Sequence, residues 1–184
     1  MKHLNTYITE YIIKKKLDKP IDSEDHYKYF PKTREELIEN IKELINNKIY
    51  DLNCIDTSKI TDMSKLFWNK LNINVDISKW NVSKVTNMSY MFYECEKFDC
   101  DLSKWDVSNV TNMRCIFSGC TRFKGKGLEN WNVSKAEYMI RMFIGCDNFT
   151  GEQIENWKIK KDCSKFEMLS NCKNIKNMPS WYTK

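Results

Sequence analysis

Tryptophan recurs at a nearly constant period, and this constrains the fold more than any other feature of the chain. The residues are Trp80, Trp105, Trp131, Trp157 and Trp181, at spacings of 25, 26, 26 and 24. Neighbouring residues recur with them, since Trp80-Asn-Val-Ser-Lys-Val-Thr-Asn-Met returns as Trp105-Asp-Val-Ser-Asn-Val-Thr-Asn-Met. A fixed period of this size predicts a solenoid, in which each repeat buries its apolar residues against the next.

Each copy of the repeat carries apolar residues at fixed distances from an anchor residue. The anchors are Ile55 in copy 1, Trp80 in copy 2, Trp105 in copy 3, Trp131 in copy 4 and Trp157 in copy 5. In copy 2 the recurring residues are Ile77 at minus three, Val82 at plus two, Val85 at plus five, Met88 at plus eight, Phe92 at plus twelve, Cys95 at plus fifteen and Phe98 at plus eighteen. Because these columns recur, they predict a packed core of like side chains and not cofactor sites.

The spacing within a copy predicts one short strand and one helical turn. Leu102-x-x-Trp105-x-Val107 has the form of a short solenoid strand. Thr-Asn-Met-x-x-Met-Phe fits a helical turn that Thr86 or Thr111 would cap. We therefore predict an α/β fold for residues 51–184, a leucine-rich-repeat solenoid of about five repeats. Pro179–Tyr182 would form a blunted C-terminal strand, because proline cannot donate to a ladder.

Residues 1–50 lack the repeat and are predicted to form an α-helical N-terminal cap. Apolar residues at helical spacing predict an amphipathic helix over 4–17. A polar connector with two prolines follows over 18–31. Thr33 and Glu36 match a capping box and predict a second helix at about 34–47. Its apolar face would cover copy 1.

The unit Leu102–Phe123 resembles the BspA-type leucine-rich repeat. The resemblance rests on W-x-V-S-x-V-T-x-M-x-x-I/M-F-x-x-C and extends over 55–181. That repeat occurs in surface proteins of gut and oral bacteria, in mycoplasma lipoproteins and in some bacteriophages. It implies a leucine-rich-repeat solenoid that binds proteins or cell surfaces without catalysis. Surface members carry export signals and long arrays, so this chain looks more like a phage or intracellular bacterial protein.

Composition places the chain among globular cytoplasmic proteins. It is 41% hydrophobic, with only 5 Gly and 3 Pro, and carries a mixed surface of net charge +5. No apolar run approaches the roughly 18 residues of a membrane helix. The first residues show no signal peptide, because polar residues interrupt any apolar run. We expect a cytoplasmic protein with no membrane contact, in the host cytoplasm if a phage encodes it.

The cysteines raise the question of a metal or redox site. Cys95, Cys120, Cys146 and Cys172 recur at plus fifteen and predict a buried packing column. Disulfides or zinc are the alternatives, although C-x4-C pairs such as Cys115 and Cys120 lack the C-x2-C spacing of zinc sites. The sequence shows no nucleophile–base pairing, Gly-rich phosphate loop or carboxylate pair. We therefore expect no catalytic residue, no metal and no cofactor.

Residues between the inward-pointing strand positions are predicted to form a partner-binding sheet face. They are Lys79, Asn81, Lys104, Asp106, Asn130, Asn132, Asn156 and Lys158. An ordinary solvated strand face is the alternative. Strands at a spacing of about 4.8 Å give a strip of about 200 Å², against roughly 800 Å² per partner in a standard interface. A partner must also contact loops, the N-terminal helices or a second copy of this protein.

The sequence thus predicts a non-enzymatic protein–protein interaction module, an intracellular adaptor or inhibitor. A phage factor acting on a host protein is one version. The first alternative is a surface adhesin without its export signal, and self-association is also open. A second alternative is nucleic-acid binding through the lysine-rich C-terminal end, which is less favoured because a polar end also keeps a solenoid soluble.

Overall fold

A computed structural model describes residues 27–182 as a stack of repeats behind one α-helix. The helix α1 is Arg34–Asn46, and two short 3₁₀ turns occupy Leu128–Asn130 and Glu152–Ile154. Across 27–182 there is no strand, and neighbouring copies are joined by isolated parallel bridges. The bridges along one edge are Asp62 to Asn87, Asn87 to Asn112, Asn112 to Tyr138 and Tyr138 to Ser164. The predicted helix over 4–17 lies outside the described residues.

The predicted leucine-rich-repeat solenoid of parallel strands is wrong. Where a strand was expected, the chain turns at each inward-pointing residue. The Trp105 N–H donates to the Leu102 carbonyl at 3.1 Å, and the Val110 N–H donates to the Val107 carbonyl at 2.9 Å. A strand buries alternate residues. Here the buried pairs Leu102 and Trp105, and Val107 and Val110, each enclose two residues at the corner of a β-turn, which gives a spacing of three within each pair.

Hydrogen bonds between copies run mainly in one direction, and this keeps them from forming a ladder. Met63 and Lys65 donate through their N–H groups to the carbonyls of Asn87 and Ser89, at 2.8 and 3.0 Å. The Trp68 N–H instead closes a turn on the Lys65 carbonyl at 3.3 Å. The N–H groups that do not bond to the next copy are therefore used in turns within their own copy. They are not available for the ladder of hydrogen bonds that a regular sheet needs.

The predicted helical turn is also replaced by β-turns. Thr86 caps no helix, because its N–H and hydroxyl both donate to the Thr61 carbonyl, at 2.9 and 3.3 Å. The next residue initiates the turn: the Asn87 Oδ1 accepts from the Ser89 N–H at 3.1 Å. The threonine column thus links copies, and the asparagine column shapes each corner.

Asx turns of this kind recur three times in a copy and explain its Asp/Asn-x-Ser pattern. In copy 3, the Asp101 and Asp106 carboxylates accept from the N–H groups of Ser103 and Ser108, both at 3.0 Å. Short polar side chains that bond the backbone two residues ahead favour turns over strands and helices. The sequence therefore encodes corners where a strand pattern was inferred.

The predicted core columns are buried, and the tryptophans have a polar role as well. Trp105 and Trp131 are 2% and 4% exposed, and their rings stack with centroids 6.3 Å apart. The Trp105 Nε1–H donates to the Ile77 carbonyl of the preceding copy at 3.1 Å. Equivalent bonds join Trp80 to Leu52, Trp131 to Leu102, Trp157 to Leu128 and Trp181 to Ile154. Each anchor thus ties two copies together.

Three of the four cysteines at plus fifteen, Cys95, Cys120 and Cys146, are buried as predicted, whereas Cys172 is partly buried. The Cys120 Sγ also lies 3.0 Å from the Phe92 carbonyl of the preceding copy, and Cys146 makes the same contact with Phe117 at 3.0 Å. Burial raises the pKa of both thiols well above the ordinary value. The thiols therefore remain protonated and can donate, a role that alanine could not take.

The helix predicted at about 34–47 is present as α1. The Thr33 Oγ1 accepts from the Glu36 N–H at 3.2 Å, as expected of an N-cap. Leu37, Ile41 and Leu44 are buried on the face that covers the stack. The predicted C-terminal strand is wrong, because the Tyr182 N–H closes a turn on the Pro179 carbonyl at 2.9 Å. Within residues 27–182, no helix is long and apolar enough to cross a membrane.

Candidate binding groove

The eight residues of the predicted partner-binding face are all exposed, at the corners of the turns. They are Lys79, Asn81, Lys104, Asp106, Asn130, Asn132, Asn156 and Lys158. At plus one, the side-chain oxygens of Asn81, Asp106 and Asn132 accept from the serine N–H two residues later, at 3.1, 3.0 and 3.2 Å. Hydrogen bonds from Ser108 lower the pKa of the Asp106 carboxyl. These side chains form turns, and their binding role stays a prediction.

A groove lies on a different side of the stack. It is formed by residues nine to fourteen positions after the anchor residue of each copy. Its volume is about 500 Å³, within the range of about 300–1,000 Å³ typical of ligand sites. It is lined by Trp68, Tyr90, Tyr93, Glu94, Arg114, Cys115, Ser118, Gly119, Arg141, Ile144 and Gly145. Copies 1 to 4 all contribute, so the groove runs along the stack.

Left-handed backbone at two positions of each copy directs the groove residues. At plus ten, φ is 59° for Tyr90, 52° for Cys115 and 54° for Arg141. At plus fourteen, φ is 57° for Glu94 and 75° for Gly119. Because the same conformation recurs from copy to copy, it belongs to the repeat and is not strain confined to a site. It places the variable side chains of neighbouring copies side by side.

Small residues at plus fourteen deepen the groove in copies 3 and 4. Glycine occupies this position as Gly119 and Gly145, where copy 2 has Glu94. A Cβ atom on Gly119 would lie 2.9 Å from the Cδ of Glu94. The glycine therefore leaves room for the Glu94 carboxylate to lie along the floor.

Cationic and aromatic side chains meet in the groove. The Tyr90 ring centroid lies 5.9 Å from the Lys65 Nζ and 5.8 Å from the Arg114 guanidinium. Lys65 also lies 5.1 Å from the centroid of Trp68, which is 49% exposed. These distances fit cation–π contacts. Within residues 27–182, neither Lys65 nor Arg114 forms an ion pair, whereas Arg141 pairs with Glu167 at 2.7 Å.

The groove was not anticipated, although two signals in the sequence point to it. Five of the 6 tryptophans are copies of the anchor column, and Trp68 is the one outside it. The plus-ten column also changes character from copy to copy. It reads Lys65, Tyr90, Cys115, Arg141 and Glu167. A variable column between constant ones indicates a surface that packing does not determine.

All eight cysteines are unpaired. Among the described residues, no three His, Cys, Asp or Glu side chains are grouped so that they could hold a metal ion. The groove therefore offers charge, aromatic surface and shape to a ligand.

Comparison with known proteins gives a family without a known function. No curated protein and no solved structure matches the chain. A family described as "Mycoplasma protein of unknown function, DUF285" matches residues 35–157 and, in a second overlapping match, 116–184. Its description supports a bacterial protein. The matches cover most of the chain, which therefore belongs to this family of mycoplasma proteins of unknown function.

Proposed function

We propose that this protein is a non-enzymatic protein-binding module that acts as an intracellular adaptor or inhibitor. The observation that carries the proposal is the groove in which Trp68, Tyr90, Tyr93, Arg114 and Arg141 converge. Tryptophan, tyrosine and arginine are the residues most enriched among those that dominate binding energy at protein interfaces. The tryptophan, methionine and phenylalanine columns, by contrast, are occupied with packing.

The groove offers contacts that the exposed face predicted from the sequence lacks. That face alone offers about 200 Å², too little for a standard interface of roughly 800 Å² per partner. The groove adds aromatic surface that is already partly ordered by its neighbours, since Tyr90 and Tyr93 lie with ring centroids 5.7 Å apart. Pre-ordered side chains lose less entropy on binding.

The resemblance of Leu102–Phe123 to BspA-type repeats supports the same class of function at the level of sequence. It also keeps a surface adhesin as the alternative, because BspA-type proteins bind proteins or cell surfaces. Nucleic-acid binding by the C-terminal lysines has less support. One of them, Lys173, is paired with Asp147 at 2.6 Å.

Capture from a mycoplasma lysate with three immobilised forms of the chain tests the proposal. The forms are the unchanged chain, a groove variant with Trp68→Ala and Arg114→Glu, and a face variant with Lys104→Glu and Asp106→Lys. We expect one protein to be retained at about 0.5 M salt, where nucleic acid is released. The groove variant should lose it, and the face variant should keep it.

Other outcomes of the capture experiment would indicate a different binding surface or a different partner. If only the face variant failed to retain the captured protein, the binding surface would be the predicted face. Retention of nucleic acid only, released steeply as salt rises, would favour the nucleic-acid alternative. Capture of no protein by the unchanged chain would contradict the proposal.

A further inference from the structure

We infer that the groove binds an extended acidic peptide segment of its partner, one that carries an apolar side chain and a carboxylate. This inference rests on the proposed protein-binding function and adds the chemistry of the bound segment. It follows from the charges, the exposed aromatic surface and the hydrogen bonding of the groove.

The carboxylate has a site beside Tyr90. Lys65 and Arg114 both lie within 6 Å of the Tyr90 ring centroid, at 5.9 and 5.8 Å. Lys65 comes from copy 1 and Arg114 from copy 3, and within residues 27–182 neither forms an ion pair. A guanidinium can bind a carboxylate through two parallel hydrogen bonds, and the Arg114 side chain makes none within the described residues.

Glu94 lines the groove, whereas Glu167 contacts the lining through Arg141. Glu167 is bonded to Arg141 at 2.7 Å. The neighbouring Glu94 raises the pKa of Tyr93, after burial, through its charge and a hydrogen bond. The Lys65 and Arg114 charges therefore remain to be matched by an occupant of the groove.

The apolar side chain has a site at Trp68. This ring is 49% exposed and packs edge-on against Tyr93, with centroids 6.5 Å apart. An aromatic or aliphatic side chain that covers the open face of Trp68 would remove apolar surface from water at about 25 cal/mol per Å². Trp68 would thus bind the apolar side chain at one end of the site, and Arg114 would bind the carboxylate at the other end.

The spacing of the two ends sets the spacing of the two ligand side chains. Trp68 belongs to copy 1 and Arg114 to copy 3. Neighbouring copies bonded along their backbones lie about 4.8 Å apart, so the two ends are roughly 10 Å apart. An extended peptide rises about 3.3 Å per residue, so the apolar residue and the carboxylate should be about three residues apart.

Backbone groups on the groove floor are already bonded, so recognition must use side chains. The Gly119 N–H donates to the Ile144 carbonyl at 2.8 Å, and the Gly145 N–H donates to the Ser170 carbonyl at 3.1 Å. Addition of the ligand as a further strand is therefore not available here. A nucleic-acid strand fits less well than a peptide, because its continuous phosphates would also pass the Glu94 carboxylate, whereas a peptide can place a single carboxylate at Arg114.

Selection of phage-displayed random heptapeptides on the full chain tests the inference. We expect the selected peptides to be enriched in an aromatic or aliphatic residue about three positions from Asp or Glu. A selected peptide, labelled with fluorescein, should bind at least about tenfold more weakly to Arg114→Glu and to Trp68→Ala. The control Lys97→Glu has the same charge change at an exposed position outside the groove and should bind as the unchanged chain does.

Three results would overturn the inference. They are selection of peptides without an acidic residue, equal binding by Arg114→Glu and Lys97→Glu, and tighter binding of fluorescein-labelled oligothymidine than of any selected peptide. Circular dichroism of each variant separates loss of the groove from loss of the fold. If the lysate protein still requires the groove while the peptides show no acidic preference, only this inference fails. If no protein is captured at all, the proposed function itself fails.

Discussion

The guanidinium of Arg34 donates to the backbone carbonyl of Ser64, with its Nε 3.0 Å from the oxygen. In later copies the equivalent carbonyl accepts a backbone N–H from the preceding copy. Lys65 donates to Ser89 at 3.0 Å, and Tyr90 donates to Arg114 at 2.8 Å. Arg34 therefore supplies from α1 the donor that a preceding copy would supply, and it caps the first turn of the stack.

Replacement of Arg34 by alanine should destabilise the protein by about 1–2 kcal/mol, because it leaves a partly buried carbonyl without its donor. The free energy of unfolding in urea measures the effect. Lys42→Ala is the matched control on the same helix. Its contact with Glu39, at 2.8 Å, lies between exposed side chains and should contribute about 0.5 kcal/mol or less. Equal losses in the two variants would contradict the capping role of Arg34.

The sequence predicts which residues pack but not the backbone that packs them. The tryptophan period correctly places Trp105, Met113 and Phe117 in one core, since all three are buried. The three-residue spacing of Leu102 and Trp105 was assigned to a strand, whereas it closes a β-turn at 3.1 Å. A strand would place Leu102 and Trp105 on opposite faces, because only alternate residues share a face, so the spacing of three itself favoured a turn. The Asp/Asn-x-Ser pattern was the better guide, since it has a mechanism only in turns.

The candidate site was harder to predict than the core. Exposure of Lys104 and Asp106 follows from the pattern and is observed. The groove depends on the left-handed backbone at Tyr90 and Arg141, where φ is 59° and 54°. Left-handed conformations are uncommon for such residues and have no signature in a single sequence. Trp68, outside the anchor column, was the available clue.

Replacement of Trp105 by phenylalanine should cost about 2–3 kcal/mol, because it removes a buried donor and leaves space in the core. The bond concerned joins the Trp105 Nε1 to the Ile77 carbonyl at 3.1 Å. Trp68→Phe is the control. Its ring is 49% exposed, so the loss of stability should be only about 0.5 kcal/mol. Urea unfolding compares the two, and a similar loss for both would exclude a structural role for the indole N–H.

The buried thiols should make the protein less stable in alkali. Burial raises the pKa of Cys95 to about 12 and that of Cys120 well above its ordinary value. The unfolded thiols ionise near the ordinary value of about 8.5. The folded state then holds more protons, so stability is fully present below about pH 8.5 and falls as pH rises toward the folded pKa.

Cys120→Ala should reduce this alkaline loss. One thiol contributes a slope of up to about 1.4 kcal/mol per pH unit, so the variant should lose less stability than the unchanged chain between about pH 9 and 10.5. Urea unfolding under reducing conditions measures the difference. Val110→Ala also removes buried apolar volume but no titrating group, and its pH profile should parallel that of the unchanged chain. A parallel profile for Cys120→Ala as well would contradict the prediction.

Acid should weaken the contact between Asp101 and Lys126, which link copies 3 and 4. A hydrogen bond from Lys126, at 2.7 Å, and bonds from Ser103 lower the pKa of the Asp101 carboxyl to about 2. Since the folded pKa lies below the unfolded value of about 3.9, the stabilisation is present above about pH 4 and is lost as pH falls toward 2.

Lys126→Ala should raise the Asp101 pKa toward its ordinary value, which a carboxyl-carbon NMR titration can follow. Lys124→Ala is the control, because Lys124 pairs with Asp99 at 3.1 Å and should leave the Asp101 midpoint almost unchanged. An Asp101 midpoint that does not move in Lys126→Ala would show that the serine bonds alone hold it low.

Gly127→Ala should be among the most damaging single changes in the repeat stack. Gly127 has φ of 95°, and a Cβ there would lie 2.1 Å from the backbone nitrogen of Ser103. The left-handed conformation alone costs an alanine about 1 kcal/mol, and the clash with a neighbouring copy adds to it. We expect a loss of more than about 3 kcal/mol in urea unfolding, or failure to fold.

Gly145→Ala separates the two effects. Gly145 also has positive φ, at 73°, but its nearest neighbour to a new Cβ would be the Gly119 Cα at 3.9 Å. Only the conformational cost of about 1 kcal/mol should remain. If the two variants unfolded at the same urea concentration, the close approach of copies 3 and 4 at Gly127 would not limit stability. A large difference would show that the register between these copies is set by contact between backbones, in addition to the tryptophan and phenylalanine columns.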